Sequence, residues 1–121
     1  MKAFLAVLTL LFLFPFLGAA ERAPELVFEA SGRYEGLARQ LGELPRERLE
    51  FITALVGLED PGPPIRVILA PENSLEARVP GWVAGYALGS ESTIVLLPAR
   101  SPSYPDKSFE DLLRHEVAHI L

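Results

Sequence analysis

Ser108-Phe109-Glu110-Asp111-Leu112-Leu113-Arg114-His115-Glu116-Val117-Ala118-His119-Ile120-Leu121 reads as one amphipathic helix with a marked start. Ser108, followed three residues later by Asp111, fits the S-x-x-[DE] capping box, and acidic residues in a first turn suit the helix dipole. Leu113, Val117 and Ile120 recur at helical spacing and form an apolar stripe for a core. Leu112, His115 and His119 fall on another face, with Glu116 about 100° further round from His115. His115 and His119 are the only 2 histidines in the chain. Four positions apart, their imidazoles project about one turn from each other, so both can reach one metal ion.

The chemistry expected of this H-E-x-x-H follows from its residue types. Zinc takes neutral imidazole or carboxylate donors, and a catalytic site normally has three protein ligands and a water. His115 and His119 supply two of these. Glu116 is placed to act as general base toward a water activated by that metal. Each residue alone has a plainer reading. A single histidine is more often a surface or core residue than a ligand, and Glu116 by itself reads as a solvated charge. Their combination carries more weight, because such a motif arises by chance in a hundred residues on the order of once in several hundred. A structural H-E-x-x-H without metal stays open at this point. Asp111, one turn before His115, is a candidate either to orient an imidazole or to serve the helix cap. Arg114 reads as a solvated charge. Ser90, Ser92 and Ser103 lack a G-x-S-x-G setting, and Gly81, Gly85 and Gly89 form no phosphate loop.

Working back from this helix, residues 98–105 hold three prolines and read as a loop. Residues 82–87 and 93–97 are expected to be two strands joined through Leu88-Gly89-Ser90-Glu91 in a hairpin, with Trp82 in the core or lining a substrate groove. An edge strand here could pair with an extended peptide, or the hairpin could be an ordinary part of a sheet. Residues 71–78 suggest a short helical turn. Ile65-Arg66-Val67-Ile68-Leu69 is a strand, β-branched and flanked by prolines. The preceding 59–64, Glu-Asp-Pro-Gly-Pro-Pro, is a loop. Two helices come before it. One starts at Ser31 or Gly32 and runs to Leu41, with Tyr34, Leu37, Ala38 and Leu41 on one face and Gly42 ending it. The other has Pro45 in its first turn and Leu49, Ile52, Thr53 and Val56 on one face. Leu26-Val27-Phe28-Glu29-Ala30 is a short strand. The order predicts an α+β fold, a small mixed sheet with a hairpin packed on helices.

Residues 1–20 stand apart. Met1-Lys2, an apolar stretch of about 15 residues and then Gly18-Ala19-Ala20 match a secretory signal peptide cleaved after Ala20. The stretch is shorter than the roughly 20 residues of a membrane span, though an uncleaved anchor is the alternative. Export through a Sec-type route would place the protein in the periplasm, at the cell surface or outside the cell. Of the 11 basic residues, Lys2 alone falls in this segment, leaving ten against 16 acidic ones and a net charge of −6. A modestly acidic domain argues against a nucleic-acid or anionic-membrane surface. Cysteine is absent, so disulfides and thiolate ligands are unavailable. Residues 21–121 suffice for one small domain with one core. The last helix shows no Gly, Asn or Pro terminator, so 21–121 is expected to be the N-terminal part of a longer domain.

The helix 109–121, with Gly81-Trp82-Val83-Ala84-Gly85-Tyr86-Ala87 and Thr93-Ile94-Val95-Leu96-Leu97 before it, resembles the peptidase MA-like zincins. These are exported bacterial gluzincins, distantly similar to thermolysin. The resemblance covers roughly residues 65–121. It implies a partial zincin-like domain in which His115 and His119 bind Zn2+ and Glu116 is the catalytic base. It further implies a third ligand, a glutamate on a later helix in a Trp-then-Glu-Gly-Leu context, which is not among these residues. A metzincin, with a Gly and a third His further on, is the neighbouring possibility. The expected function is an exported zinc metallopeptidase acting on a peptide or protein substrate, with residues 21–121 inactive alone. The alternative is a non-catalytic zincin-fold envelope protein that binds peptides or partners.

Overall fold

The computed structural model describes residues 23–55, 62–103 and 105–121. The leader expected over 1–20, loop residues 59–61, Val56 and the side chain of Thr53 lie outside the described residues. Four strands form one mixed sheet: β1 (Leu26–Ala30), β2 (Ile65–Leu69), β3 (Gly85–Leu88) and β4 (Thr93–Leu96). Their spatial order is β1-β2-β4-β3. β1 runs parallel to β2 and β2 parallel to β4, while β3 returns antiparallel to β4 at the edge. Parallel neighbours need a long crossover. Between β1 and β2 this includes α1 (Glu35–Gly42) and α2 (Arg46–Leu55). The last element is α3 (Phe109–Ile120). The fold is α+β, as the order of elements predicts.

The first helix is tighter at its start than its periodicity suggests. Gly32–Tyr34 form a 3-10 turn, with the Tyr34 amide donating to Ser31 O at 2.8 Å, before α1 begins at Glu35. Pro45 stands just ahead of α2, and its carbonyl accepts from the Arg48 amide at 3.1 Å. A missing N–H costs nothing at such a position.

The sheet is covered on both faces. Ile65, Val67 and Leu69 of β2 and Ile94 and Leu96 of β4 join Leu41, Leu49, Ile52, Leu112, Leu113 and Val117 in the main core. On the other face Val95 and Leu97 pack with Ala70 and Ala77, and Ile68, Val79 and Tyr86 add to them. This second layer is not a helix but the segment between β2 and β3, with a 3-10 turn at Leu75–Ala77. β4 is therefore buried on both sides, which is why its sequence is a continuous apolar run rather than an alternating one. β1, at the far edge, alternates half-buried Leu26, Phe28 and Ala30 with exposed Val27 and Glu29. Burying one Leu or Val side chain contributes about 1.5–3 kcal/mol. Packing thus outweighs exposed pairs such as Glu29–Arg66, which joins β1 to β2 on the outer surface. Among the described residues no helix is long and apolar enough to cross a membrane.

The structure corrects two expectations about residues 82–87. The strand starts at Gly85, and Trp82 is not in the core: it is 74% exposed. Arg100 is the cause. Its Nη1 donates to the carbonyls of Pro80 (2.8 Å) and Val83 (2.9 Å), and its Nη2 to that of Ala77 (2.9 Å). The Val83 amide meanwhile closes a turn on Pro80 O at 3.0 Å. With these groups committed to a turn, the chain joins β4 only from Ala84 onward, where Leu97 N–H donates to Ala84 O at 2.8 Å. Trp82 rides on the outside of that turn.

Candidate metal centre

α3 begins where its sequence says it should. Ser108 is extended at the cap and its Oγ accepts from the Asp111 amide at 3.2 Å. The return bond of the capping box is displaced by one residue, because Asp111 Oδ2 accepts from the Lys107 amide instead, also at 3.2 Å. Asp111 further pairs with Arg114 at 3.0 Å. These contacts, the Lys107 amide first, hold the Asp111 carboxyl below the usual aspartate range. Of its two candidate roles, Asp111 serves the cap.

The helix is set by three neighbours: β3, β4 and α2. Leu113 and Val117 are fully buried and Ile120 half-buried, so the apolar stripe faces the core as its spacing requires. Leu112 is also buried, lying against β3, whereas His115 and His119 on the same flank are exposed. Arg48 of α2 forms an ion pair with Glu110 and ties the two helices together at the start of α3.

The two imidazoles converge. His115 Nε2 and His119 Nε2 stand 2.9 Å apart, with ring centroids 4.8 Å apart and planes inclined at 39°. Comparison with protein-family models, curated proteins and solved structures finds no match. The fit to a metal therefore rests on the donor geometry. Two nitrogens each about 2.0–2.1 Å from a shared zinc at a tetrahedral angle would be roughly 3.3 Å apart, so a small opening of the rings accommodates the ion. The donors are of the right chemistry, and their Nε2 atoms are close enough for one ion to be shared. Among the described residues no group of three or more His, Cys, Asp or Glu gathers to hold an ion.

Glu116 is the buried member of the motif, at 9% exposure. Burial raises its carboxyl above the ordinary glutamate range, His115 and His119 pull it back down, and Asp106 pushes it up. Glu116 directly follows His115 on α3, so its carboxylate belongs to the same turn as the pair. That juxtaposition is what base catalysis on a water held near the rings requires.

Sequence reasoning missed Asp106. Its Oδ2 lies 3.4 Å from His115 Nδ1, on the other side of the ring from Nε2. Asp106 precedes the helix, and no fixed spacing links a loop carboxylate to a helical histidine nine residues on. The only available signal was its position in a proline-bounded loop that must pass the helix start. An open cleft beside His115 is lined by Arg48, Ile52, Pro105, Asp106 and Arg114. Arg114 is not simply solvated: it pairs with Asp111, and its Nε is buried without a hydrogen-bond partner.

Proposed function

We propose that this chain carries the zinc-binding helix of an exported metallopeptidase of the gluzincin type, a partial zincin-like domain. The observation that supports this reading above all is the 2.9 Å convergence of His115 Nε2 and His119 Nε2 beside the buried carboxylate of Glu116. At 2.9 Å the two facing nitrogens are at hydrogen-bond distance, and metal binding would displace the proton between them.

In this reading His115 and His119 hold Zn2+, and the zincin resemblance supplies the third donor as a glutamate on a later helix. Zinc, when bound, supplies Lewis acidity toward a water and a scissile carbonyl. Glu116 accepts the proton of the attacking water and returns it to the leaving amine of the substrate. β3 is the strand beside α3 and pairs with β4 on one side. Its other edge offers backbone groups to an extended peptide or protein substrate, held near the motif by β-augmentation. Residues 1–20 direct export and are removed after Ala20, which brings residues 21 onward to the periplasm, the cell surface or the medium.

The test uses the protein produced from its complete reading frame. Stoichiometric zinc is expected in the purified wild type and is lost in His119→Ala, with peptide hydrolysis lost alongside it. A purified protein that takes up no zinc would end this reading.

A further inference from the structure

We infer that Asp106 is the positioning carboxylate of His115, holding Nδ1 so that Nε2 is kept for the metal; this rests on the zinc reading above. The ring is addressed from two opposite sides. Asp106 Oδ2 is 3.4 Å from Nδ1, and His119 Nε2 is 2.9 Å from Nε2. An ionised carboxylate only accepts hydrogen bonds. A lone pair on Nδ1 would face its negative oxygen, so the favoured tautomer carries the proton on Nδ1. The free lone pair is then on Nε2, the atom that converges with His119. A carboxylate behind a metal-binding imidazole also orients the ring and raises its donor strength.

The backbone that carries Asp106 is held by the fold on both sides of it. Asp106 is 15% exposed while His115 is 42% exposed, so the acid forms the protein side of the contact. Its amide donates to Ser103 O at 2.9 Å, and Ser103 Oγ donates to Trp82 O at 3.2 Å. Arg100, in the same loop, grips the carbonyls of Ala77, Pro80 and Val83. On the other side Lys107 is held through its amide by Asp111. Backbone hydrogen bonds thus hold the chain at Asp106 and at Lys107. Asp111, the nearest competing carboxylate in sequence, is engaged by Lys107 and Arg114.

Asp106→Ala and Asp106→Asn, made in the protein from its complete reading frame, test this by two measurements. Chelator competition should show zinc affinity reduced by about 10–100-fold in Asp106→Ala, with Asp106→Asn intermediate because its amide oxygen still accepts. Long-range 15N–1H correlation of the histidine rings in metal-free protein should show His115 protonated on Nδ1 in the wild type and a mixture of tautomers in Asp106→Ala. Circular dichroism verifies folding, and Asp106→Asn carries the test if the alanine variant fails to fold. Unchanged zinc affinity together with an unchanged His115 tautomer overturns the role of Asp106. A wild type that binds no zinc instead removes the metal reading, and the tautomer measurement still decides whether Asp106 governs the ring.

Discussion

Gly85 and Leu112 meet at the point where the edge strand crosses the metal-motif helix. A β-carbon on Gly85 would stand 3.0 Å from Leu112 Cδ2, 3.0 Å from Leu96 Cδ2 and 3.1 Å from the Val95 carbonyl oxygen. The missing side chain is thus what lets α3 lie against β3, and His115 is one turn beyond that contact.

Gly85→Ala is expected to destabilise the domain by about 1–3 kcal/mol, the usual cost of overpacking. Leu112→Ala carries its own cavity cost of about 2–5 kcal/mol, and the double mutant should lose less than the sum of the two, a coupling of about 0.5–3 kcal/mol in a double-mutant cycle. Urea unfolding measures both. A Gly85→Ala variant as stable as the wild type would mean the strand and helix separate freely.

Glu116→Gln keeps the shape of a 9% exposed side chain and removes its basicity. In the complete protein, zinc content should be unchanged while peptide hydrolysis falls by about 10²–10⁴-fold, the contribution typical of a general base. Undiminished turnover in a zinc-replete variant would assign the proton transfer to another group.

Ser108 caps α3 through one bond to the Asp111 amide at 3.2 Å. Ser108→Ala should cost about 0.5–2 kcal/mol, and Ser108→Asp should restore most of it. Thermal unfolding followed at 222 nm by circular dichroism (roughly the helix minimum) reads the difference. Equal midpoints for serine and alanine would show the cap to be idle.

Trp82 is the single tryptophan, and its exposed ring should emit as a solvated indole and be quenched readily by acrylamide. Trp82→Ala should change stability by no more than about 0.5 kcal/mol, as for other surface positions. A blue-shifted, protected emission in the free protein would place the ring back in a core.

Glu72 pairs with Arg100, whose hydrogen bonds hold the Glu72 carboxyl below its ordinary value of 4.5. A lowered folded-state value means that the unfolded chain takes up the proton first as pH falls. The pair's contribution is complete above 4.5 and is lost as the pH drops from there through the folded-state value. Glu72→Gln should therefore flatten the acid limb of the stability curve and leave the neutral region less affected by pH. Identical acid limbs in wild type and variant would contradict this. Arg100→Lys should be the more damaging change, because an ammonium cannot serve the carbonyls of Ala77, Pro80 and Val83 together with Glu72.

Much of this fold was legible along the chain because its signals are local. Ile65 to Leu69 declared a strand by β-branching between prolines, Ser108 and Asp111 declared a helix start, and the spacing of His115, Glu116 and His119 declared a shared face. Trp82 was misplaced for a reason that is equally physical. Hydrophobicity predicts burial only if the backbone delivers the side chain inward, and here Arg100, eighteen residues later, holds that backbone in an outward turn.

The amino-acid order by itself determined the order of helices and strands, though not where the strand after Trp82 begins, and that two imidazoles and a carboxylate share one turn, since these follow from periodicity and caps within a few residues. Only the tertiary structure decided that β3 is the edge beside α3, that Gly85 admits Leu112, and that Asp106 reaches Nδ1 of His115. Those relationships join residues distant in sequence, and such contacts are chosen by packing and hydrogen-bond satisfaction across the whole domain rather than by any local preference.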